Sequence, residues 1–248
     1  MIEVIDLCKS FNGQPVLKGL TLSIAAGELL VIIGRSGGGK SVLLKHLIGL
    51  FRPDSGQVLI NGVDLPGLRG RALDDLRTKF GVVFQGNALF DSVSVFDNVA
   101  FPLREKTRLP PDVIHARVEE RLEQVGLAGA GHKFPAELSG GMRKRVAIAR
   151  ALVTEPEIVF LDEPTTGLDP ILCTTIHHLI RDLHRKLHFT AVMASHEIPD
   201  IFEIAHRVAM LHDGVIVEAA SPEIIQASAN PVVRQFIQGE TEGPIQVT

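Results

Sequence analysis

The chain contains no Trp and no Tyr, so its 12 aromatic residues are all Phe. Only two cysteines occur in 248 residues, Cys8 and Cys173. Such a pair supplies neither a disulfide framework nor a metal-ligand spacing, and reads as two buried thiols in a reducing compartment. Long apolar runs are missing too. The longest is Leu29-Leu30-Val31-Ile32-Ile33, whereas crossing a bilayer takes about 20 apolar residues. No segment is therefore expected to span a membrane. The first residues, Met1-Ile2-Glu3-Val4-Ile5-Asp6, carry two acids and no basic stretch, unlike a secretory signal. A basic excess is absent as well. Lys and Arg number 25 against 29 Asp and Glu, a net charge of −4, which argues against a general nucleic-acid binder.

What remains is an ordinary globular composition. Apolar residues make up 45% and charged residues 22%, which excludes disorder, and the length suffices for a sizeable core. Alternating patterns at Glu3-Val4-Ile5-Asp6-Leu7 and Leu20-Thr21-Leu22-Ser23-Ile24 predict half-buried strands, with a turn at Asn12-Gly13. The run 29–33 fits a strand buried on both faces, as in a parallel sheet. A glycine-rich turn and a helix over 40–50 follow, then strand character at 56–62. Ile114, Val118, Leu122 and Val125 repeat at helical spacing within 112–126. A second helix is expected over 139–153, with Ser139 as N-cap. Strands at 158–161 and 190–194 enclose a helix near 171–187, a βαβ rhythm. A last hairpin after Asp213-Gly214, a helix near 222–228 and a short amphipathic stretch at 232–237 close the chain, and 239–248 reads as a loose extension.

The sharpest motif is Gly34-Arg35-Ser36-Gly37-Gly38-Gly39-Lys40-Ser41, a match to the phosphate-binding loop G-x-x-x-x-G-K-[ST]. Its glycines let backbone N–H groups wrap a polyphosphate, and the helix that begins there adds its positive end. Lys40 would reach the β- and γ-phosphates, and the Ser41 hydroxyl would ligate Mg²⁺. The same residues also fit a nucleophile elbow, G-x-S-x-G at 34–38, with Asp162 and His196 following in the chain order of an α/β-hydrolase triad. Against the elbow, Gly39-Lys40-Ser41 has no role in it and no oxyanion segment of HGGG type appears. Ile158-Val159-Phe160-Leu161-Asp162-Glu163 is an apolar strand that ends in two acids. Strand ends are where an open α/β sheet presents its ligand crevice. There Asp162 suits Mg²⁺ and Glu163 suits a general base for water. Leu138-Ser139-Gly140-Gly141-Met142 makes a second anion cradle at a helix start. One nucleotide does not need two cradles from one chain, which points to a head-to-tail dimer.

Those motifs, in this order and spacing, resemble the ATP-binding subunit of ABC transporters over residues 1 to about 220. The resemblance implies an α/β P-loop fold with a RecA-like core (1–85 and 155–220), an N-terminal antiparallel β subdomain, an inserted helical subdomain (86–154) and a C-terminal helix with extension (221–248). It implies ATP and Mg²⁺ as ligands, held by Phe11, Lys40, Ser41, Gln85, Asp162, Glu163 and His196 of one copy. Ser139, Gly140, Gly141 and Asp169 would come from the other copy of a homodimer. Phe11 stands where the family stacks an aromatic, usually Tyr, on adenine. Gly34, Arg35, Ser36, Gly37, Gly38, Gly39 and Val42 complete the nucleotide contacts. Gln85 matches the residue that touches Mg²⁺ and senses the membrane subunit, and His196 the histidine that holds the γ-phosphate. Met142 departs from the usual LSGGQ, at a position that does not touch the phosphate.

The stretches 84–90, 95–105 and 230–239 are similar to the Mla/Mce-type ATPases, which energise phospholipid movement between the membranes of Gram-negative bacteria. That resemblance implies a permease dimer (MlaE-like), an MCE-domain lipid-binding protein (MlaD-like) and a small STAS-domain partner (MlaB-like). It implies no nucleic acid, and a peripheral place on the cytoplasmic face of the inner membrane. Two other readings compete: a different ABC transporter ATPase, for amino acids or lipoproteins, and a soluble ABC protein acting on DNA or ribosomes. His177, His178, His184 and His188 read as packed or solvated histidines rather than a metal site. Arg143-Lys144-Arg145 is expected to face solvent or the dimer seam. Phe101, Pro102 and Leu103 fit either a core or a groove for a helix of the membrane partner.

Overall fold

The computed structural model describes residues 1–246. The first stretch of chain forms β1 (Ile2–Phe11), β2 (Gln14–Ile24), β3 (Leu29–Ile33), α1 (Lys40–Leu47), β4 (Ser55–Ile60), β5 (Val63–Asp64) and α2 (Gly70–Arg77). The middle forms β6 (Phe80–Val83), α3 (Val95–Lys106), α4 (Pro111–Gln124), α5 (Gly140–Leu152), β7 (Ile158–Asp162) and α6 (Pro170–Leu187). The last stretch forms β8 (Thr190–Ala194), β9 (Arg207–His212), β10 (Val215–Ala220), α7 (Pro222–Gln226) and α8 (Pro231–Gln238). The chain divides into two compact units, one of residues 1–75 with 190–248 and one of residues 76–189.

In the first unit, β2, β1, β4 and β5 make an antiparallel sheet in that order. β1 and β2 are joined by the Asn12-Gly13 turn, and β9 and β10 by Asp213-Gly214, both at positive φ. These are the dipeptides and dihedrals of tight hairpin turns. β3 lies between β8 and β9 and runs parallel to both. All five of its residues are buried, as a parallel strand with neighbours on both edges requires. The C-terminal end of that strand opens directly into the glycine loop and α1.

The second unit packs α3 to α6 with the parallel pair β6 and β7. The helical spacing at Ile114, Val118, Leu122 and Val125 is borne out, and these four residues are buried. Ser139 caps α5, accepting from Met142 N–H at 3.3 Å, as its position before an apolar repeat predicts. The helix α3 is not legible in the pattern because it carries Pro102 in its interior, where proline costs about 3 kcal/mol. A helix cap, a buried asparagine and core burial offset that cost. Ser94 Oγ accepts from Asp97 N–H and donates to Asp97 Oδ2. The Ser94 hydroxyl, and after it Arg104, hold the Asp97 carboxyl below its ordinary range. Fully buried Asn98 accepts from Phe90 N–H and donates to the carbonyls of Phe90 and Ser94. Val95, Val99 and Leu103 are sealed in the core.

Candidate functional site

The first unit carries the phosphate loop. β3 ends at Ile33 and Gly34 follows at φ 152°, where an added Cβ would stand 2.3 Å from the Leu211 carbonyl oxygen of β9. Only glycine lets the chain leave the strand so close to its neighbour. Gly38 N–H closes a turn on the Arg35 carbonyl at 3.1 Å. Gly39 precedes α1 in the left-handed region and has no capping side chain. The first α1 bond, Leu43 N–H to Gly39 O, leaves the N–H groups before it for an anion. Lys40 is 3% exposed. Its ammonium donates to the carbonyls of Gly34 at 2.7 Å and Arg35 at 2.9 Å, so the loop itself centres the charge. Ser41 and Val42 are half-buried behind it, while Arg35, Ser36 and Gly37 are exposed.

Also in this unit, Phe11 ends β1 with 38% of its surface exposed. Its ring lies 5.5 Å from that of Phe51, and Lys9 Nζ stands 5.5 Å above it. Phe51 carries no motif and was not legible as a neighbour. His196 sits exposed in the loop after β8, where Glu197 N–H bonds Ser195 Oγ.

The second unit carries the acidic strand end. Asp162 and Glu163 are 9% and 8% exposed, and Glu163 holds the left-handed φ of 47°. Such strain, about 1–2 kcal/mol for a residue with a Cβ, persists where surroundings over-determine it. Gln85 Nε2 donates to Glu163 Oε2 at 2.9 Å, and Thr166 Oγ1 donates to the same oxygen at 3.0 Å. The pairing of Gln85 with Glu163 joins two expected site residues that are 78 positions apart. Thr166 was missed, since a lone Thr after a strand carries no pattern. Elsewhere in this unit Ser139 is exposed at the start of α5, with Gly140 and Gly141 behind it. Exposed Asp169 caps α6 through Leu172 N–H at 3.1 Å.

Several residues settle into structural roles. His177 and His184 are buried, and His184 packs edge-on against Phe189. Among the described residues no group of three or more His, Cys, Asp or Glu is placed to hold a metal ion by itself. Arg143, Lys144 and Arg145 do not face solvent as a patch. Each donates to a backbone carbonyl of its own chain, of Leu138, Gln85 and Val125 respectively. Leu103 is core, while Phe101 and Pro102 line an apolar groove of about 420 Å³ with Phe84, Phe90 and Arg150. Residues 239–246 are fastened rather than loose, and 247–248 lie outside the described residues. Buried Gln235 on α8 accepts from Ile245 N–H at 2.7 Å and donates to its carbonyl at 3.0 Å. Arg35 of the phosphate loop donates to the Gln246 carbonyl at 2.7 Å.

A glycine-wrapped lysine after a buried parallel strand, and a strained acid bound by a glutamine, define a P-loop nucleotide hydrolase. Residues 17–166 match the family model described as ABC transporter. The chain is 44% identical over 244 residues to the probable ribonucleotide transport ATP-binding protein mkl of Mycobacterium leprae, covering 98% of this chain and 70% of that protein. It is 38% identical over 245 residues to the intermembrane phospholipid transport system ATP-binding protein MlaF of Escherichia coli K12, covering 99% and 91%. Its fold matches the dimeric ATP-binding cassette MJ0796 in a post-hydrolysis state with ADP and Pi, at TM-score 0.82 and 31% identity over 90% of this chain and 99% of that one. The chain belongs to the ABC transporter family, as an α/β P-loop ATPase cassette. That finding displaces the nucleophile-elbow reading of Ser36. Among the described residues no helix is long and apolar enough to cross a membrane.

Proposed function

We propose that this chain is the ATPase subunit of an assembly that moves phospholipid between the inner and outer membranes. The observation that carries the proposal is the likeness to MlaF, which extends over 99% of this chain and 91% of that protein. A second reading, nucleotide transport, is favoured by the higher identity to the mycobacterial protein, of which the chain covers 70%.

In this proposal residues 1–220 form the ATPase domain, with a helical subdomain at 86–154, and 221–248 form a C-terminal helix and extension. Lys40 and the loop 34–39 bind the ATP phosphates, and Phe11 stacks on adenine. Without a Tyr hydroxyl, stacking is all that Phe11 offers. The donor set suits Mg²⁺, because the Ser41 hydroxyl and the Asp162 carboxylate are hard oxygens. The Gln85 NH₂ is committed to Glu163, which makes its carbonyl oxygen the atom available to a cation. Ser41, Asp162 and Gln85 would hold the cation, which would supply neutralisation of the phosphate charge. Glu163 takes a proton from the attacking water, and His196 holds the γ-phosphate. Ser139, Gly140, Gly141 and Asp169 of a second copy close the site, so hydrolysis opens the dimer. The groove walled by Phe101 and Pro102 receives a cytoplasmic helix of an MlaE-like permease. The chain thus sits peripherally on the cytoplasmic face of the inner membrane, with MlaD-like MCE and MlaB-like STAS partners.

The test is purification of the tagged chain from detergent-solubilised membranes. Recovery of an MCE-domain protein and a permease supports the lipid reading. Recovery of a soluble solute-binding protein, or ATPase stimulation by DNA, overturns it. Lys40→Ala is expected to abolish measurable ATP affinity, and unchanged binding would refute the phosphate-loop assignment.

A further inference from the structure

The segment after β6 is held in an unfavourable shape. Asn87 and Ala88 follow one another with φ of 62° and 50°, in the left-handed region that Asn tolerates and Ala, with its Cβ, does not favour. Local bonds are sparse: Asn87 N–H to Phe84 O, and Ala88 N–H to Gly86 O. What holds the segment is the helix α5. Arg150 donates from Nη2 to the Asn87 carbonyl at 2.7 Å and from Nη1 to the Ala88 carbonyl at 2.8 Å. Six residues earlier, Lys144 donates from Nζ to the Gln85 carbonyl at 3.0 Å. Lys144 is 4% exposed, so its charge is spent inside the protein. Three carbonyls out of four successive residues are thereby gripped by two cations of one helix.

The same segment sets the glutamine. The Gln85 backbone is gripped by Lys144, while its side chain donates to Glu163 Oε2. On its other side the Arg150 guanidinium lies 5.9 Å from the Phe90 ring, and Phe90 meets Phe101 at 5.0 Å. Arg150 therefore touches both the segment behind Gln85 and the wall of the apolar groove. A planar fork suits two neighbouring carbonyls, whereas an ammonium on a flexible stem fixes one point. Arg150 grips two carbonyls and Lys144 one, as that chemistry dictates.

We infer that Lys144 and Arg150 are positioning residues for ATP hydrolysis, which lock the backbone of residues 85–88 so that the Gln85 amide stays on Glu163. The inference rests on the reading of Glu163 as the base. Neither residue touches nucleotide in this scheme, so their loss lowers turnover and leaves ATP affinity intact. Displacing a catalytic constellation by about 1 Å costs on the order of 100-fold in rate.

The experiment measures kcat and ATP affinity of the full chain for Arg150→Met, Arg150→Lys and Lys144→Met, each also combined with Gln85→Ala. Arg150→Met is expected to lower kcat by about 10- to 100-fold with ATP affinity unchanged. Arg150→Lys should recover part of that loss. In the Gln85→Ala background the Arg150→Met change should have no further effect, because the group it positions is gone. Two results overturn the inference. One is wild-type kcat in both Arg150→Met and Lys144→Met. The other is an Arg150→Met loss of equal factor with and without Gln85, which is the signature of a merely structural arginine. Should Arg150→Met not fold, Arg150→Lys and Lys144→Met carry the same comparison. Glu163→Gln is run alongside. Wild-type turnover there refutes the base, whereas slow Glu163→Gln with normal Arg150→Met and Lys144→Met refutes only the positioning role.

Discussion

Replacing Glu163 by Gln isolates proton abstraction from everything else the residue does. The side chain accepts two hydrogen bonds on one oxygen, from Gln85 Nε2 at 2.9 Å and Thr166 Oγ1 at 3.0 Å. A glutamine of the same volume keeps a carbonyl oxygen for those donors and leaves the strained backbone at φ 47° unchanged. Folding stability should therefore hold. What is lost is basicity. General-base catalysis supplies about 10²–10⁴-fold in rate, equivalent to about 2.7–5.4 kcal/mol of barrier at 1.36 kcal/mol per tenfold. The assay is single-turnover phosphate release with protein in excess, beside titration with a fluorescent ATP analogue and thermal melting. Slow release with unchanged affinity and melting is the expected outcome, together with dimers that persist in ATP. Turnover equal to wild type would refute the reasoning. So would a loss of ATP affinity by the same factor as the rate, since Glu163 would then bind nucleotide rather than activate water.

Gly34→Ala forces a Cβ to within 2.3 Å of the Leu211 carbonyl, and backbone cannot yield as a side chain end can. Destabilisation should exceed about 1–3 kcal/mol, the ordinary range for overpacking, and an unchanged melting temperature would contradict the packing described. Gln235→Leu leaves the N–H and carbonyl of buried Ile245 without their partner, which costs about 1–3 kcal/mol per orphaned group. Hydrogen exchange should therefore rise across 240–246, and unchanged protection would argue against the clamp. His46 is buried and donates from Nδ1 to the Val42 carbonyl at 2.8 Å. Burial pushes its pKa down, so the unfolded chain binds the proton more readily. Stability should fall as pH drops through about 6.5, the unfolded value. Unfolding of His46→Gln followed from pH 8 to pH 5 should show a shallower decline than wild type.

Much of the site was legible because its chemistry is written locally. Residues 34–41 are eight consecutive positions after an apolar run, and an apolar strand ending in Asp162-Glu163 needs no distant information. The turn at Asn12-Gly13 was legible, because positive φ at a tight turn admits few residues, whereas the second hairpin turns at Asp213-Gly214 itself and not after it. The helix α3 was not legible, since Pro102 is locally a helix breaker and what offsets it is the Ser94 cap, the buried Asn98 and the burial of Val95, Val99 and Leu103. The fastening of 240–246 escaped for the same reason, because a single buried Gln235 does what no residue of the tail announces.

The run Arg143-Lys144-Arg145 shows where sequence stops. As letters it is a charged patch, and the ordinary place for charge is water. In the fold, Lys144 reaches a carbonyl 59 positions away and Arg150 one 63 positions away. Sequence by itself determined the phosphate loop, the acidic strand end and the class of chemistry, because spacing along one strand and one turn fixes them. Tertiary structure alone decided which carbonyls those cations hold and which oxygen of Glu163 Gln85 and Thr166 share. Those contacts depend on the approach of distant elements, and no local pattern records which elements meet.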